Sequence, residues 1–554
     1  MANWQAWLTG LWARARYALV VLALLVQGFH AYMTGPAYQH DSGQQDGAVW
    51  ALLEGKGVSQ KVAKNPADLN AIAYEGVTWW SPVKTLALAP LMGLTGGSLW
   101  WAAMWLVWLF LALWMIGAFL LLEAFAPLIP SWVRALIWLT WIFTSVPTSN
   151  DTNMMAFAGF TLALAASAWC VRLNRPSWAW AVAIGAGLGV SVAMRYAYYA
   201  YLPLLPLAFV IYGALERQRA WWRVAAGALV VGGLSAVLVW LYNLALTGAI
   251  LPHIAAQTES VRYTGRINWE HLLRFHPFPT DAIGAHPVRY WLSQVGLGGV
   301  AVALLWGMAL VLLGAQARLT WQAWRATPDT GEEAELRLQR FFWLAGALVV
   351  SATVALFSYL SLRYAPEVNG WTQVSDPRYF AQTWLFTLVA VAMLLGGYGR
   401  WRTLRAAVVL CVVVAVAFGA LNRVGNVRAY LRDGFTMGGL RTEDGTLRDH
   451  MRQAQAQGLE AVAFFAVHSD YATYTRAEAN LADAVVYHGD FFDGMTLGVS
   501  KPTRVFLVVP PEYAQDGRTP RARVLRAWID DLYGAQALPR APLHAEVYTF
   551  DLMP

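Results

Sequence analysis

Charge is scarce in this chain. Of its 554 residues only 13% are charged, while 58% are hydrophobic. A soluble multidomain enzyme of this length would carry about twice that charge, so the composition excludes an ordinary water-soluble protein. Cysteine is nearly absent. Cys170 and Cys411 are the two, and both fall inside apolar runs, which fits lipid- or core-facing residues and excludes a disulfide or metal pair. There is no Walker-type phosphate loop, which argues against an ATP-driven pump. There is no tandem repeat and no low-complexity segment. His40, His253, His271, His276 and His286 share one predicted side but lack the i, i+4 spacing of a metalloprotease helix, so they read as interface histidines. The net charge of +7 requires no nucleic acid, because cytoplasmic loops of membrane proteins are rich in Lys and Arg.

What remains is apolar length. Runs of roughly 18 residues recur along the chain, and each is long enough for a membrane helix. They predict a polytopic α-helical membrane protein of about 11 transmembrane helices, near 17–33, 99–123, 132–148, 153–171, 177–194, 197–214, 223–246, 293–314, 341–361, 379–397 and 405–421. The first run lacks a small-residue cleavage site, so it reads as a retained anchor. Basic clusters at Arg14 and Arg16, Arg172 and Arg175, Arg217 to Arg223, Arg318 to Arg340, and Arg400 to Arg405 fall on one side of this list. That side is expected to be the cytoplasm, with Arg134 alone marking the loop between the second and third spans. The N-terminus is then cytoplasmic and the C-terminus extracytoplasmic.

Long irregular segments collect on the opposite side: 34–98, 247–292, 362–378 and the tail. In the tail charge rises, and short runs such as "AVAFFAV" and "RVFLVVPP" alternate with a helical stretch near 520–533, which predicts a small soluble α/β domain. The expected division is a membrane domain over 1–425, with surface helices in the loop 34–98, and an extracytoplasmic domain over 426–554.

Acids gather on that outer side. Asp41 and Asp46 follow the first span, Glu75 lies in "AYEGVTWWSP", and Asp151 sits in "TSNDTN". Singly, each suits a hydrated loop, and Asp151 also suits a helix N-cap. The same side holds Arg195 in "AMRYAYYAY", Arg378 in "SDPRYFAQTW", and Arg262, Arg266 and Arg274. Singly, each suits an interface anchor. Together, an acid beside fixed arginines suits a general base meeting a phosphate leaving group, and the planar Arg fork can bind phosphate bidentately.

The pattern "QDGAVWALLEGKG … YEGVTWWSPVKTLALAPL" resembles the first extracytoplasmic loop of GT-C glycosyltransferases, multi-span enzymes that use polyprenyl-phosphate sugars. Asp46, Trp50, Gly55, Gly57, Gly76, Thr78 and Pro82 stand at the positions of that loop's motif. "SNDTNMMAFAGFTLALA" resembles the second acidic motif, carried by Asp151. "YNLALTGAILPHIAAQT" resembles the segment leaving the seventh span, with Tyr242, Asn243, Gly248 and Pro252 in place. "DPRYF" resembles the Arg-Tyr motif ahead of a late span, and "LADAVVYHGDFFDGMTLGVSKPTRVFLVVP" resembles the soluble tail. The nearest likeness is to polyprenyl-phosphate-arabinose transferases and protein-mannosyltransferase-like relatives. Relatives often carry two adjacent acids where this chain has Gln45-Asp46, which leaves Asp41 as a rival base.

The resemblance implies an inverting hexosyl- or pentosyltransferase of a bacterial-type inner membrane, moving sugar from a polyprenyl-phosphate donor to a glycan, lipid or protein acceptor. Asp46 or Asp41 would be the catalytic base, since partial desolvation makes a carboxylate a stronger base. Arg378, Arg195 and Tyr379 would bind the donor phosphate. Asp151, Glu75, Tyr242 and Asn243 would support the substrate site. No cofactor is required, although carboxylates at Asp46 and Asp151 also suit a divalent cation, Mg or Mn. The competing readings are a transporter or flippase of lipid-linked sugar, which predicts internal repeats, and an inactive GT-C-fold subunit.

Overall fold

The computed structural model describes residues 2–34, 40–77, 80–143, 152–251, 333–363, 381–395, 446–465, 485–488, 496–509, 535–538 and 546–554, with a few isolated positions besides. The predicted spans at 293–314 and most of 405–421 lie outside these residues, as does most of the helical stretch near 520–533. Two compact units are present. One comprises residues 1–32, 107–242 and 249–432; the other comprises 33–106, 243–248 and 433–554.

The first unit is helical. Its described elements are α1 (Ala2–Thr34), most of α4 (Leu99–Ala124), α5 (Ser131–Phe143), α6 (Thr152–Arg172), α7 (Trp178–Met194), α8 (Leu204–Leu215), α9 (Ala220–Thr247), α10 (Glu333–Arg363) and α11 (Ala381–Leu395). Among the described residues five segments are long and apolar enough to cross a membrane: Arg14–Met33, Leu99–Ala124, Thr152–Arg172, Tyr196–Leu215 and Ala220–Thr247. α4 spans about 39 Å at 1.5 Å per residue, enough for a hydrocarbon core of about 30 Å.

Small residues set a close crossing of α6 and α7 in this unit. A Cβ on Gly159 of α6 would lie 2.6 Å from the Gly187 carbonyl oxygen of α7, and one on Gly187 would lie 2.7 Å from the Gly159 oxygen. The Ser191 hydroxyl donates across the same crossing to the Ala156 carbonyl at 2.8 Å. Without a hydrophobic drive between helices in lipid, this backbone approach is how such pairs gain packing. Elsewhere in the unit the Tyr201 and Thr353 hydroxyls meet at 3.0 Å and tie the α7–α8 connection to α10.

A charged cluster binds four helices together. Glu123, near the C-terminus of α4, takes Arg134 of α5 at 2.6 Å and Arg16 of α1 at 3.5 Å. Arg172, the last residue of α6, donates to the Glu123 and Ala124 carbonyls at 2.6 and 3.2 Å. Those carbonyls lie at the helix end, where the Ala126 amide also reaches Glu123 at 3.1 Å, and the guanidinium caps them.

The second unit carries a sheet. Two of its helices come from the first loop: α2 (His40–Leu53) and α3 (Val83–Leu94). Between them runs a hairpin, β1 (Ser59–Asn65) and β2 (Asp68–Gly76), in antiparallel register from Ser59–Gly76 to Asn65–Asp68. The tail adds α12 (Thr446–Ala456), β3 (Glu460–Phe465), β4 (Val485–His488), β5 (Thr503–Val509), β6 (Gln536–Ala537) and β7 (Glu546–Leu552). All seven strands form one sheet in the order β2-β1-β4-β3-β5-β7-β6, with β1 parallel to β4 through Val62–Val486 and Ala63–Tyr487.

Alternation along β5 gives the sheet two apolar faces. Val505, Leu507 and Val509 join Val462, Phe464, Phe550 and Leu552 in one core, and Phe506 and Val508 join Leu447, Met451 and Ala454 of α12 in another. This explains why "VFLVV", after Arg504, is apolar without interruption: a strand covered on both faces has no polar side. The hairpin contributes Ala63 and Leu69 to the first of these cores.

Candidate active site

Asp46 stands midway along α2 and is fully buried. Lys84, in the first turn of α3, is also fully buried, and its Nζ lies 2.8 Å from the Asp46 carboxylate. A cation in the first turn meets the positive end of the helix dipole, and burial strips its water as well. The carboxylate offsets both costs, and desolvation of the pair is offset by their attraction only because they touch. The neighbouring residues repeat the contact: the Thr85 hydroxyl donates to the Gln45 carbonyl at 2.8 Å. Residues 45–46 and 84–85 thus stitch α2 to α3 side by side.

Local sequence explains the positions of the two helices. α2 stops at the Gly55-Lys56-Gly57 turn, where both glycines take positive φ of 76° and 72°, a conformation that suits a residue without Cβ. The Lys56 amide returns to the Ala51 carbonyl at 2.8 Å. At the start of α3, Pro82 occupies the N-cap and the Ser81 hydroxyl accepts from the Val83 amide at 3.4 Å. The G-x-G and Pro-containing pieces of the first-loop motif therefore mark the two helix boundaries that frame the pair.

The other predicted residues distribute as follows. Asp41 lies in α2, five residues ahead of Asp46, with its side chain outside the described residues. Glu75 is exposed on β2, opposite Gln60 in register, unlike the buried Asp46. Arg195 follows α7 in an extended conformation and donates to the Thr152 hydroxyl at the first residue of α6, at 3.3 Å. That contact brings Arg195 to the chain position next to Asp151, which itself lies outside the described residues. Tyr242 is half-buried, whereas Asn243 is buried and falls in the same unit as Asp46. Arg378 and Tyr379 lie outside the described residues.

Lys84 is the functional candidate that the sequence analysis passed over, although it stands inside the quoted motif. Its signal was a lone cation within "SPVKTLALAPL", otherwise free of charge, two residues after a proline. A lysine so placed needs an anion, and Asp46 is the one it finds. The pair also bears on a divalent cation. Among the described residues no group of three or more His, Cys, Asp or Glu gathers to hold a metal. An ion binding Asp46 would first have to displace an ammonium at 2.8 Å, so the residues around Asp46 do not fit such an ion as they stand.

No family profile matches this chain, and no curated protein does. Among solved structures it is similar to ArnT from Cupriavidus metallidurans bound to undecaprenyl phosphate, at 14% identity and a TM-score of 0.45, over 96% of this chain and 97% of that one. It is also similar to the Archaeoglobus fulgidus oligosaccharyltransferase in complex with Zn and sulfate, at 12% identity and a TM-score of 0.43, over 96% and 72%. A third is the archaeal oligosaccharyltransferase AglB from Archaeoglobus fulgidus with an inhibitory peptide and a dolichol-phosphate, at 12% identity and 0.43, over 85% and 64%.

Proposed function

We propose that this chain is an inverting glycosyltransferase that takes sugar from a polyprenyl-phosphate donor, with Asp46 as the base. The observation that carries the reading is the fully buried Asp46–Lys84 pair, framed by the two helices of the loop that resembles the GT-C first loop. In the reaction the acceptor hydroxyl oxygen attacks the anomeric carbon. Its proton passes to the Asp46 carboxylate, and the bond from that carbon to the phosphate oxygen breaks. The electron pair leaves with the polyprenyl phosphate. Attack opposite the phosphate inverts the anomeric centre. Lys84 is a compact positive charge on a flexible stem. It can follow negative charge as it moves from the carboxylate, once protonated, to the departing phosphate.

Arg378 and Tyr379 remain the proposed phosphate ligands from the Arg-Tyr motif. Arg195, bonded to the Thr152 hydroxyl, is the second cation, and Asn243, in the unit that holds Asp46, is the proposed substrate support together with Tyr242. The sugar would be a hexose or pentose and the acceptor a glycan, lipid or protein. The orientation we favour puts the pair on the extracytoplasmic side of a bacterial-type inner membrane, with about eleven spans over 1–425 and an α/β domain over 426–554. Its support is that Arg16, Arg134 and Arg172 meet around Glu123, and Arg340 meets Glu216 at 3.0 Å. Basic helix ends that the sequence assigns to one side of the bilayer are thus gathered in pairs or clusters.

The test is transfer by the purified full chain with a panel of polyprenyl-phosphate sugars. Wild-type transfer together with loss in both Asp46→Asn and Lys84→Met supports the reading. Full activity in Asp46→Asn, with Asp41→Asn inactive, would move the base to Asp41. Full activity in both would reject the mechanism.

A further inference from the structure

The hairpin between α2 and α3 has two ends. At its open end the Val77 amide donates to the Val58 carbonyl at 3.0 Å, which closes the two strands where they leave α2 and enter α3. β1 also packs directly on α2. At its closed end the hairpin meets the tail segment 498–503. The Leu69 amide donates to the Gly498 carbonyl and the Gly498 amide to the Pro66 carbonyl, each at 2.9 Å. A Cβ on Gly498 would lie 2.1 Å from the Ala67 oxygen, so the two backbones touch.

Asn70 sits at the centre of this second end. Its Oδ1 accepts from the Ser500 amide at 2.9 Å and the Lys501 amide at 3.0 Å. Its Nδ2 donates to the Thr503 hydroxyl at 2.9 Å, and that hydroxyl donates in turn to the Lys501 carbonyl at 2.7 Å. Asp68 adds an acceptor for the Ser500 and Asn70 amides, each at 3.1 Å. One amide side chain thereby satisfies two backbone donors and a hydroxyl on a segment more than four hundred positions away in sequence. Among the described residues the ladder from β1 to β4 has two registered pairs, Val62–Val486 and Ala63–Tyr487. The closed-end contacts add a second attachment of the hairpin to the tail.

We propose that Asn70 is a positioning residue: by locking the hairpin to the tail, it fixes the α2–α3 pairing that holds Asp46 against Lys84. Its catalytic consequence rests on the glycosyl transfer proposed above. Its mechanical consequence does not, and the two are separable. A fixed hairpin sets the spacing between the end of α2 and the start of α3, because the same two strands connect them. A hairpin released at its far end leaves that spacing to the α2–α3 contacts, the packing of β1 on α2 and the β1–β4 ladder.

The test uses the full chain in detergent, comparing wild type with Asn70→Ala and Asn70→Asp. Amide hydrogen exchange over 45–53 and 83–94 should rise about tenfold in Asn70→Ala, the size expected from losing a net hydrogen bond or more. Asn70→Asp keeps an oxygen for the Ser500 and Lys501 amides and should return exchange close to wild type. In the transfer assay Asn70→Ala should lower kcat about tenfold with the donor KM little changed, and Asn70→Asp should restore it. Should Asn70→Ala fail to fold, Thr503→Val removes one hydroxyl and keeps both amide bonds, and should show about a threefold change in the same peptides. Faster exchange confined to 66–72 and 498–503, with α2 and α3 at wild-type rates, would overturn the proposal and leave Asn70 a local turn residue. If wild type transfers no sugar, the function proposed above fails, while exchange still decides the positioning role.

Discussion

Two charge clusters in this protein, one partly exposed and one fully buried, solve the same problem with different parts. Around Glu123 the cations are arginines. Arg134 and Arg16 meet the carboxylate, and Arg172 caps the carbonyls of the same helix end. The supply of positive charge exceeds the one carboxylate, and the planar forks hold fixed directions. At Asp46 the described ion pair joins one lysine to one aspartate, each fully buried and 2.8 Å apart. A guanidinium cluster on helix ends is suited to staying put. A single ammonium on a flexible chain is suited to changing partner when another anion arrives. The contrast is between a partly exposed fastening and the fully buried pair proposed above to be reactive.

The sharpest way to break that contrast is to remove one charge at a time. Asp46→Asn or Lys84→Met alone leaves an uncompensated buried charge and should destabilise the chain by about 3–5 kcal/mol. The Asp46→Asn/Lys84→Met double variant should recover most of that stability and remain inactive. Melting curves and transfer assays on the three variants test this; a double variant no more stable than the singles would show that the pair is not mutually compensating. Loss of activity in Asp46→Asn is interpretable only beside this double variant, since the single change also disturbs the fold.

A smaller effect should follow at the arginine cluster. Glu123→Gln removes the anion from a partly exposed site and should cost about 1.5–3 kcal/mol, the range for hydrogen bonds to charged groups. Transfer measured below the melting transition should stay near wild type. A catalytic loss as large as that of Lys84→Met would erase the distinction between fastening and reactive pair.

The smallest effect belongs to an exposed pair on the sheet. Arg504 on β5 meets Asp551 on β7 at 2.6 and 2.8 Å. The guanidinium hydrogen bond holds the Asp551 carboxyl below its ordinary value. A carboxyl depressed in the folded state adds stability that is present above its unfolded value, and that is lost as pH falls through its folded value. Asp551→Asn should therefore cost under about 1 kcal/mol at neutral pH, and the difference from wild type should vanish in acid. A difference that persists or grows in acid, read from melting curves across pH, would contradict that sign.

Much of this was legible in the chain. Spans such as Leu99–Ala124 and Thr152–Arg172 stand out because an apolar helix in lipid advertises itself by length alone. Asp46 was legible because the G-x-G and Pro82 flank it at helix boundaries, and both boundaries are there. Lys84 was passed over because its importance comes from a partner 38 positions earlier on another helix, and no local period encodes that. The hairpin at 59–76 was missed for a related reason. Its strands, "SQKVAKN" and "DLNAIAYEG", alternate only weakly, and their partners beyond the hairpin, Val486 and Tyr487 and the segment 498–503, lie far away in sequence. The turn was readable in retrospect: Asn65 accepts from the Ala67 amide, the Asx turn expected of Asn-Pro-Ala-Asp. β3 and β5 were found because strands covered on both faces are continuously apolar.

The sheet joins strands from opposite ends of the chain, and this has a consequence for biogenesis. The hairpin is synthesised long before β3, β4 and β5, yet Ala63 and Leu69 belong to a core that those strands complete. Until the tail is delivered, β1 has no neighbour on its outer side and the hairpin is a waiting edge of the kind that invites mispairing. Assembly of this unit is therefore set by its last-made part, as expected for contacts of high sequence separation. A chain interrupted after its final membrane helix would emerge with Asp46 and Lys84 already made and their scaffold unfinished, which links quality control of the tail to competence of a loop finished much earlier.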